Sequence, residues 1–243
     1  MNVTSTFLPI LLAAGTLAAS DLDLYLLSST LSPRSESREG TIDPLSGKFL
    51  GKVTLRGGDL RQLGLGGAYT VLSPGNWRVR VGAEANTGAS RMPMSFRYLR
   101  FQGITEYAAA TDGTVKLSTF APLLSLVYVS AGAGEYGITY EHHFSRITYD
   151  VSNNVVVVAD VLQPNVPLSR SQRTSDPFLS LNATFVQRYR AFGFFARVSY
   201  GINLASVRTL QDLTQSDFLG TNEGLLEMVR PKQEMKLALG TRF

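Results

Sequence analysis

KQEMKLALGTRF, residues Lys232 to Phe243, is the stretch whose reading decides the fold. Side chains of an extended strand alternate between two faces. Met235, Leu237, Leu239, Thr241 and Phe243 therefore share one face, and Glu234, Lys236, Ala238, Gly240 and Arg242 share the other. One face is apolar and ends on an aromatic ring, while the other carries three charges. A terminal segment is ordinarily polar and frayed. Here the expectation is a strand held between an apolar and a polar environment.

The same division recurs upstream. In DLDLYLLSSTL (21–31), Leu22, Leu24 and Leu26 oppose Asp23 and Tyr25. A hairpin is expected around Pro74, Gly75 and Asn76, residues that favour a tight turn. On its second arm Trp77, Val79, Val81, Ala83 and Ala85 face one way, and Arg78, Arg80, Glu84 and Asn86 the other. A second hairpin, FLSLNATFVQRYRAFGFFARVSYGINL (178–204), sets Phe194, Ala196, Val198, Tyr200 and Ile202 against Phe195, Arg197, Ser199 and Asn203. A short extra strand is expected at Lys52 to Leu55, and breaks in phase near Tyr98, Pro122 and Phe144. Long or Gly-rich connections at 33–59, 88–94, 131–134, 164–177 and 205–231 alternate with tight ones at 73–76, 111–114, 152–154 and 190–193.

That pattern predicts an all-β fold, a closed antiparallel up-and-down transmembrane barrel of about ten strands, with eight or twelve as the alternatives. An even number places both termini at the short-turn end. A soluble barrel or sandwich uses the same alternation with its apolar side chains turned inward. The charged residues at mid-strand and the aromatics near strand ends favour the membrane arrangement.

The 243 residues suit one such domain, and their composition agrees. Hydrophobic residues make up 44% and charged residues 17%, and the mean hydropathy is +0.04. A barrel averages a lipid face against a polar interior, so an intermediate value is expected. MNVTSTFLPILLAAGTLAAS has an apolar run from Phe7 to Ala14 and small residues at its end, as a secretory signal peptide does. The reading is a signal peptide over 1–20 and one barrel domain over 21–243. No other stretch holds the ~20 apolar residues of a spanning helix. With no cysteine and a net charge of +4 without basic blocks, disulfide frameworks, thiolate metal sites and nucleic-acid binding are not indicated.

On these residues the chain resembles the bacterial outer-membrane β-barrel superfamily: an export signal, amphipathic strands throughout, no cysteine, and a terminal strand ending in Phe. The resemblance implies a Gram-negative outer-membrane location, contact with outer-membrane lipid and lipopolysaccharide, and a porin-like architecture. It also implies that Met235, Leu237, Leu239 and Phe243 form a signal read by the barrel-assembly machinery. Thr241 stands where that superfamily often has an aromatic.

Two sets of residues carry possible function. Arg78, Arg80, Glu84, Arg197, Lys236 and Arg242, with Glu234, are expected to form a polar network in the lumen. A barrel this narrow is filled by side chains rather than open as a channel, so at most a small pore is expected. The second set is YEHHFSR (140–146), where Glu141, His143 and Ser145 would share one face and His142 the other. Serine, histidine and a carboxylate are the parts of an activated nucleophile. His143-Phe144-Ser145 resembles the His-x-Ser element of lipid A 3-O-deacylases, departing from it at Arg146 and Ile147, with Asp150 the next carboxylate. The glycines of GLGGAY (64–69) lack the lysine of a phosphate loop and read as close packing or barrel curvature. No cofactor or metal is indicated.

The expected function is thus a non-enzymatic barrel, structural or binding a ligand or protein partner through its loops. The alternatives are a lipid A esterase using His143 and Ser145, and a subunit of an envelope secretion or assembly complex.

Overall fold

The computed structural model describes residues 21–33, 37–40, 51–55, 59–99, 105–130, 132, 134–158, 161–163, 168–189, 192–205 and 230–243. The expected signal peptide lies outside them, as does most of the two longest connections. Every element among them is a strand: β1 (Leu22–Pro33), β2 (Ser37–Gly40), β3 (Gly51–Leu55), β4 (Leu60–Leu72), β5 (Trp77–Leu99), β6 (Thr105–Val129), β7 (Gly134–Val158), β8 (Val161–Gln163), β9 (Leu168–Tyr189), β10 (Phe192–Asn203) and β11 (Pro231–Arg242).

Eight of these strands close a ring in the order β1, β4, β5, β6, β7, β9, β10, β11 and back to β1, every pairing antiparallel. The terminal strand is the closing strand. Leu22 N donates to Phe243 O at 3.1 Å and Phe243 N donates to Leu22 O at 3.0 Å, sealing the seam at its outermost pair. β3, where the sequence suggested a short extra strand, extends the sheet from β5, with β2 beside it; β8 folds back on β7.

The strand number is eight rather than ten, and the reason lies in three stretches of turn-type residues. Residues 88–94, 111–114 and 152–154 do not turn. They lie inside β5, β6 and β7, where Arg91 pairs with Thr114, and Asp112 with Asn153. The register of β6 on β7 shifts between Asp112 and Gly113, which sets Ser152 into a bulge instead of a hairpin. The glycine-rich segment at 131–134 is a tight connection, and β9 begins at Leu168, within the stretch read as a loop. Of the three phase breaks expected, the one near Tyr98 is a register shift between Tyr98 and Leu99. At Pro122 and Phe144 the alternation is unbroken: Phe120 pairs with Phe144 and Leu123 with Glu141, so register is kept across the proline.

Eight is also even, so both termini sit with connections 73–76, 130–133 and 190–191 at one end, here the near end. At the far end β5, β6, β7 and β9 run 22 to 25 residues. Their ring neighbours run 12 or 13. The longer strands therefore continue past the ring as a curved wall.

Two faces follow from period two. The near part of the outer surface is apolar: Leu24, Leu65, Val81, Leu124, Leu126, Ile138, Leu181, Phe194, Val198, Leu237 and Leu239 are all exposed. Trp77, Tyr128, Tyr136, Tyr189, Phe192 and Phe243 ring its near edge. Further along, polarity inverts. On β7 the outward residues Tyr136, Ile138, Tyr140 and Phe144 give way to Arg146, Thr148 and Asp150. The inward residues Glu135, Thr139, Glu141, His143 and Ser145 give way to Ile147 and Tyr149. β1 repeats the change outside, from Leu22, Leu24 and Leu26 to Ser28, Thr30 and Ser32. On β7 and β1 the outer surface is thus apolar below this level and polar above it, and the interior below it holds the charged residues together with buried apolar ones such as Leu27, Leu123, Val127, Val186 and Phe195.

Candidate functional site

The lower lumen holds two charged clusters, one above the other. They are assembled by strands whose inward positions carry charge and whose facing glycines make room. Gly66 and Gly240 lie against Tyr25: a Cβ on Gly66 would stand 2.4 Å from the Tyr25 ring, and one on Gly240 2.6 Å from Tyr25 Cβ and 2.3 Å from the Leu24 carbonyl oxygen. Without side chains there, Tyr25 lies in the lumen and its hydroxyl donates to Glu84 Oε1 at 2.8 Å. Of the glycines of 64–69, Gly66 serves this packing, while Gly64 lies against Asn86 and Ala85 of β5.

At the near end Arg242 is the hub. Its Nε and Nη2 donate to the two oxygens of Asp23 at 2.6 and 2.9 Å, and its Nη1 and Nη2 donate to Glu135 at 2.6 and 3.1 Å. Arg80 donates to the same Glu135 at 3.0 and 3.3 Å and to Thr70 Oγ1 at 3.3 Å. Arg78 pairs with Asp21. Three carboxylates thus meet three guanidiniums, and charge balances. Such pairing is what makes desolvated charge tolerable.

The second cluster centres on Lys236. Its ammonium donates to Glu84 Oε2 at 2.7 Å, pairs with Glu141, and lies 3.4 Å from Glu234. Arg197 donates to Glu84 Oε1 at 3.3 Å and stacks over Tyr25, 4.4 Å from the ring centre. Ser180 Oγ donates to Glu141 Oε1 at 3.2 Å. Glu234 makes no hydrogen bond among the described residues, although Lys236 and His143 are within ion-pair distance of it.

Arg78, Arg80, Arg197, Lys236 and Arg242 of the expected lumen network each face inward and meet a carboxylate, and Glu84 faces inward and meets Arg197 and Lys236. Sequence reading missed Asp21, Asp23 and Glu135, although each shares the inward phase of its strand. Asp21 meets Arg78, Asp23 stands opposite Arg242 in the β1–β11 ladder and Glu135 meets Arg80 and Arg242 across the lumen, all contacts that depend on how the ring closes. Met235, Leu237, Leu239 and Phe243 all face outward, more than 45% exposed.

Glu141, His143 and Ser145 do share the inner face of β7, with His142 outside against Phe144, ring centres 4.7 Å apart. Their hydrogen bonds do not form a relay. His143 Nε2 meets Glu141 Oε2 at 2.9 Å and its ring stacks on Phe178 with centres 4.2 Å apart. Ser145 Oγ bonds instead to Thr119 Oγ1 at 2.9 Å. Ligand atoms of Glu141, His143 and Glu234 lie within 4.8 Å of one another, close enough to share a cation. Lys236 already supplies positive charge at that point, so the group reads as part of the ion-pair network.

No protein-family model and no curated protein matches this chain.

Proposed function

We propose that the protein is a non-enzymatic outer-membrane barrel whose lumen is a closed ion-pair core, and that it serves a structural or partner-binding role through its far end. The observation that carries the reading is the inversion of polarity along the wall. The buried charged clusters lie at the level where the exterior is apolar, the arrangement of a membrane barrel, whereas a water-soluble barrel turns its apolar side chains inward and its charges to solvent. On β7 the predominantly apolar exterior, Tyr136, Ile138, Tyr140 and Phe144 with His142 among them, runs from Tyr136 to Phe144. Those eight steps at ~3.4 Å make ~27 Å of strand, which a tilt of ~40° reduces to about 21 Å, near the ~25 Å apolar band of such barrels.

Two features favour a structural role over transport or hydrolysis. An eight-stranded interior is just wide enough for side chains to fill, and here paired charges fill it together with buried apolar side chains such as Tyr25, Leu27 and Phe195. The esterase alternative needs His143 to accept the proton of Ser145, whereas His143 is committed to Glu141 and stacked on Phe178. The projecting far-end wall of β5, β6, β7 and β9 is the surface a protein partner would meet, whether the protein acts alone or within an envelope complex.

Cell fractionation followed by gel mobility of unheated and boiled samples tests the location and the closed barrel together. The expected result is an outer-membrane protein that migrates differently once boiled. A freely soluble protein with heat-independent mobility would refute the proposal.

The lipid-facing assignment has its own test. Leu237→Arg is expected to destabilise the barrel in lipid vesicles by about 2–4 kcal/mol, the value for arginine near the bilayer midplane. A surface substitution on a soluble barrel would change stability by only about 0.5 kcal/mol. Urea unfolding of both proteins in vesicles separates the two.

A further inference from the structure

Just above the apolar belt, Arg146 of β7 and Arg173 of β9 stand directly opposite one another in the ladder, both outward and both exposed. Like charges in directly opposed positions destabilise a sheet, and here they adjoin the lowest-dielectric part of the exterior. Among the described residues no carboxylate pairs with either. Arg146 Nε donates only to Ser171 Oγ, at 3.0 Å. Asp150, the nearest acid on that face, is taken by Lys116 at 2.7 Å and by Ser169. The two guanidiniums border a shallow groove of about 640 Å³ that runs across β5, β6, β7 and β9. Ser118 and Ser175 line it at the level of the arginines, and Phe120 and Phe144 just below.

We infer that Arg146 and Arg173 form a recognition site for the phosphate of a phosphorylated membrane lipid in the far-end leaflet. Guanidinium forks bind phosphate oxygens in pairs, and one phosphate between the two arginines turns a repulsive pair into a bridged one. Phe120 and Phe144, with Leu124 and Leu179 further down the wall, continue from the groove into the belt. A headgroup seated on the arginines therefore lays its acyl chains along surface that is already apolar. The occupant is a lipid rather than a soluble anion because Phe120 and Phe144 adjoin the arginines and open the apolar belt, with the outward His142, hydrogen-bonded to Ser175, as the polar group beside Phe144. The inference rests on the membrane reading above.

The test uses the full chain in detergent micelles doped with lipid A, with dephosphorylated lipid A, or with inorganic phosphate at equal phosphate concentration. The readout is the temperature at which mobility on the gel changes. Phosphorylated lipid A alone is expected to raise it for the wild type, and Arg146→Ser with Arg173→Ser is expected to weaken lipid A binding at least ~10-fold. Without lipid A the double variant should be as stable as the wild type or more so, since a repulsion has been removed. That control separates loss of binding from loss of fold.

An equal rise with inorganic phosphate, or an undiminished rise in the double variant, would overturn the lipid site while leaving the barrel reading intact. A protein that needs no detergent and shows no mobility shift would overturn both.

Discussion

Lys236→Met should destabilise the folded barrel by about 3–5 kcal/mol, the cost of removing one partner from a buried ion pair. Methionine nearly matches the length and volume of lysine, so little of the loss is packing. What changes is charge: Glu84, Glu141 and Glu234 lie 3% or less exposed, and Lys236 is the one cation among the described residues that meets all three. Arg197 still holds Glu84 in the variant. Glu141 keeps His143 and Ser180, and Glu234 keeps only a 3.6 Å approach to His143. The penalty should therefore fall mainly on Glu141 and Glu234. Adding Glu141→Gln and Glu234→Gln to Lys236→Met should return most of the lost stability, because the charges left unpaired are then gone. Urea unfolding in vesicles measures both proteins. A loss below about 1 kcal/mol for the single variant, or no recovery in the triple, would mean that water reaches these carboxylates and the lumen is not a dry ionic core.

That cluster also shows how far the sequence could be read. The alternation of Met235 to Phe243 marks a strand with an apolar and a charged face, and the same phase puts Arg78, Arg80 and Glu84 together. These are local facts, and period two carries them. The partners are not local. Lys236 meets Glu84 across 152 residues of chain and Arg242 meets Asp23 across 219. Those contacts follow from ring closure and strand stagger, which no window of sequence contains.

The strand number of eight was legible only as an alternative to ten, for a related reason. Thr-Asp-Gly-Thr at 111–114 and Ser-Asn-Asn at 152–154 are good turn formers in isolation, yet they lie side by side on paired strands. A bulge at Ser152 absorbs the mismatch, and the ladder on both sides favours extension over turning. Arg146 and Arg173 are similar: each reads alone as a solvated surface residue, and only the register of β7 on β9 makes them a pair.

The register of the seam gives the other large effect. Arg242→Met is expected to cost about 3–5 kcal/mol, because it leaves Asp23 and Glu135 buried with fewer cations. Its consequence differs from that of Lys236. Asp23 lies on β1, the strand to which β11 must pair to close the ring, and Glu135 lies on β7 across the lumen. Arg242 therefore joins closure to the opposite wall through four hydrogen bonds. Losing it should lower the temperature at which the closed form opens on the gel, in addition to the stability measured in urea. Arg242→Lys keeps the charge but not the planar fork, and should lose about 1–2 kcal/mol from the missing charge-assisted bonds. An Arg242→Lys barrel that opens at the wild-type temperature would mean that charge alone sets the seam. The fixed geometry between Asp23 and Glu135 would then be incidental. An intermediate value, between wild type and Arg242→Met, is what a seam held by a directional fork requires.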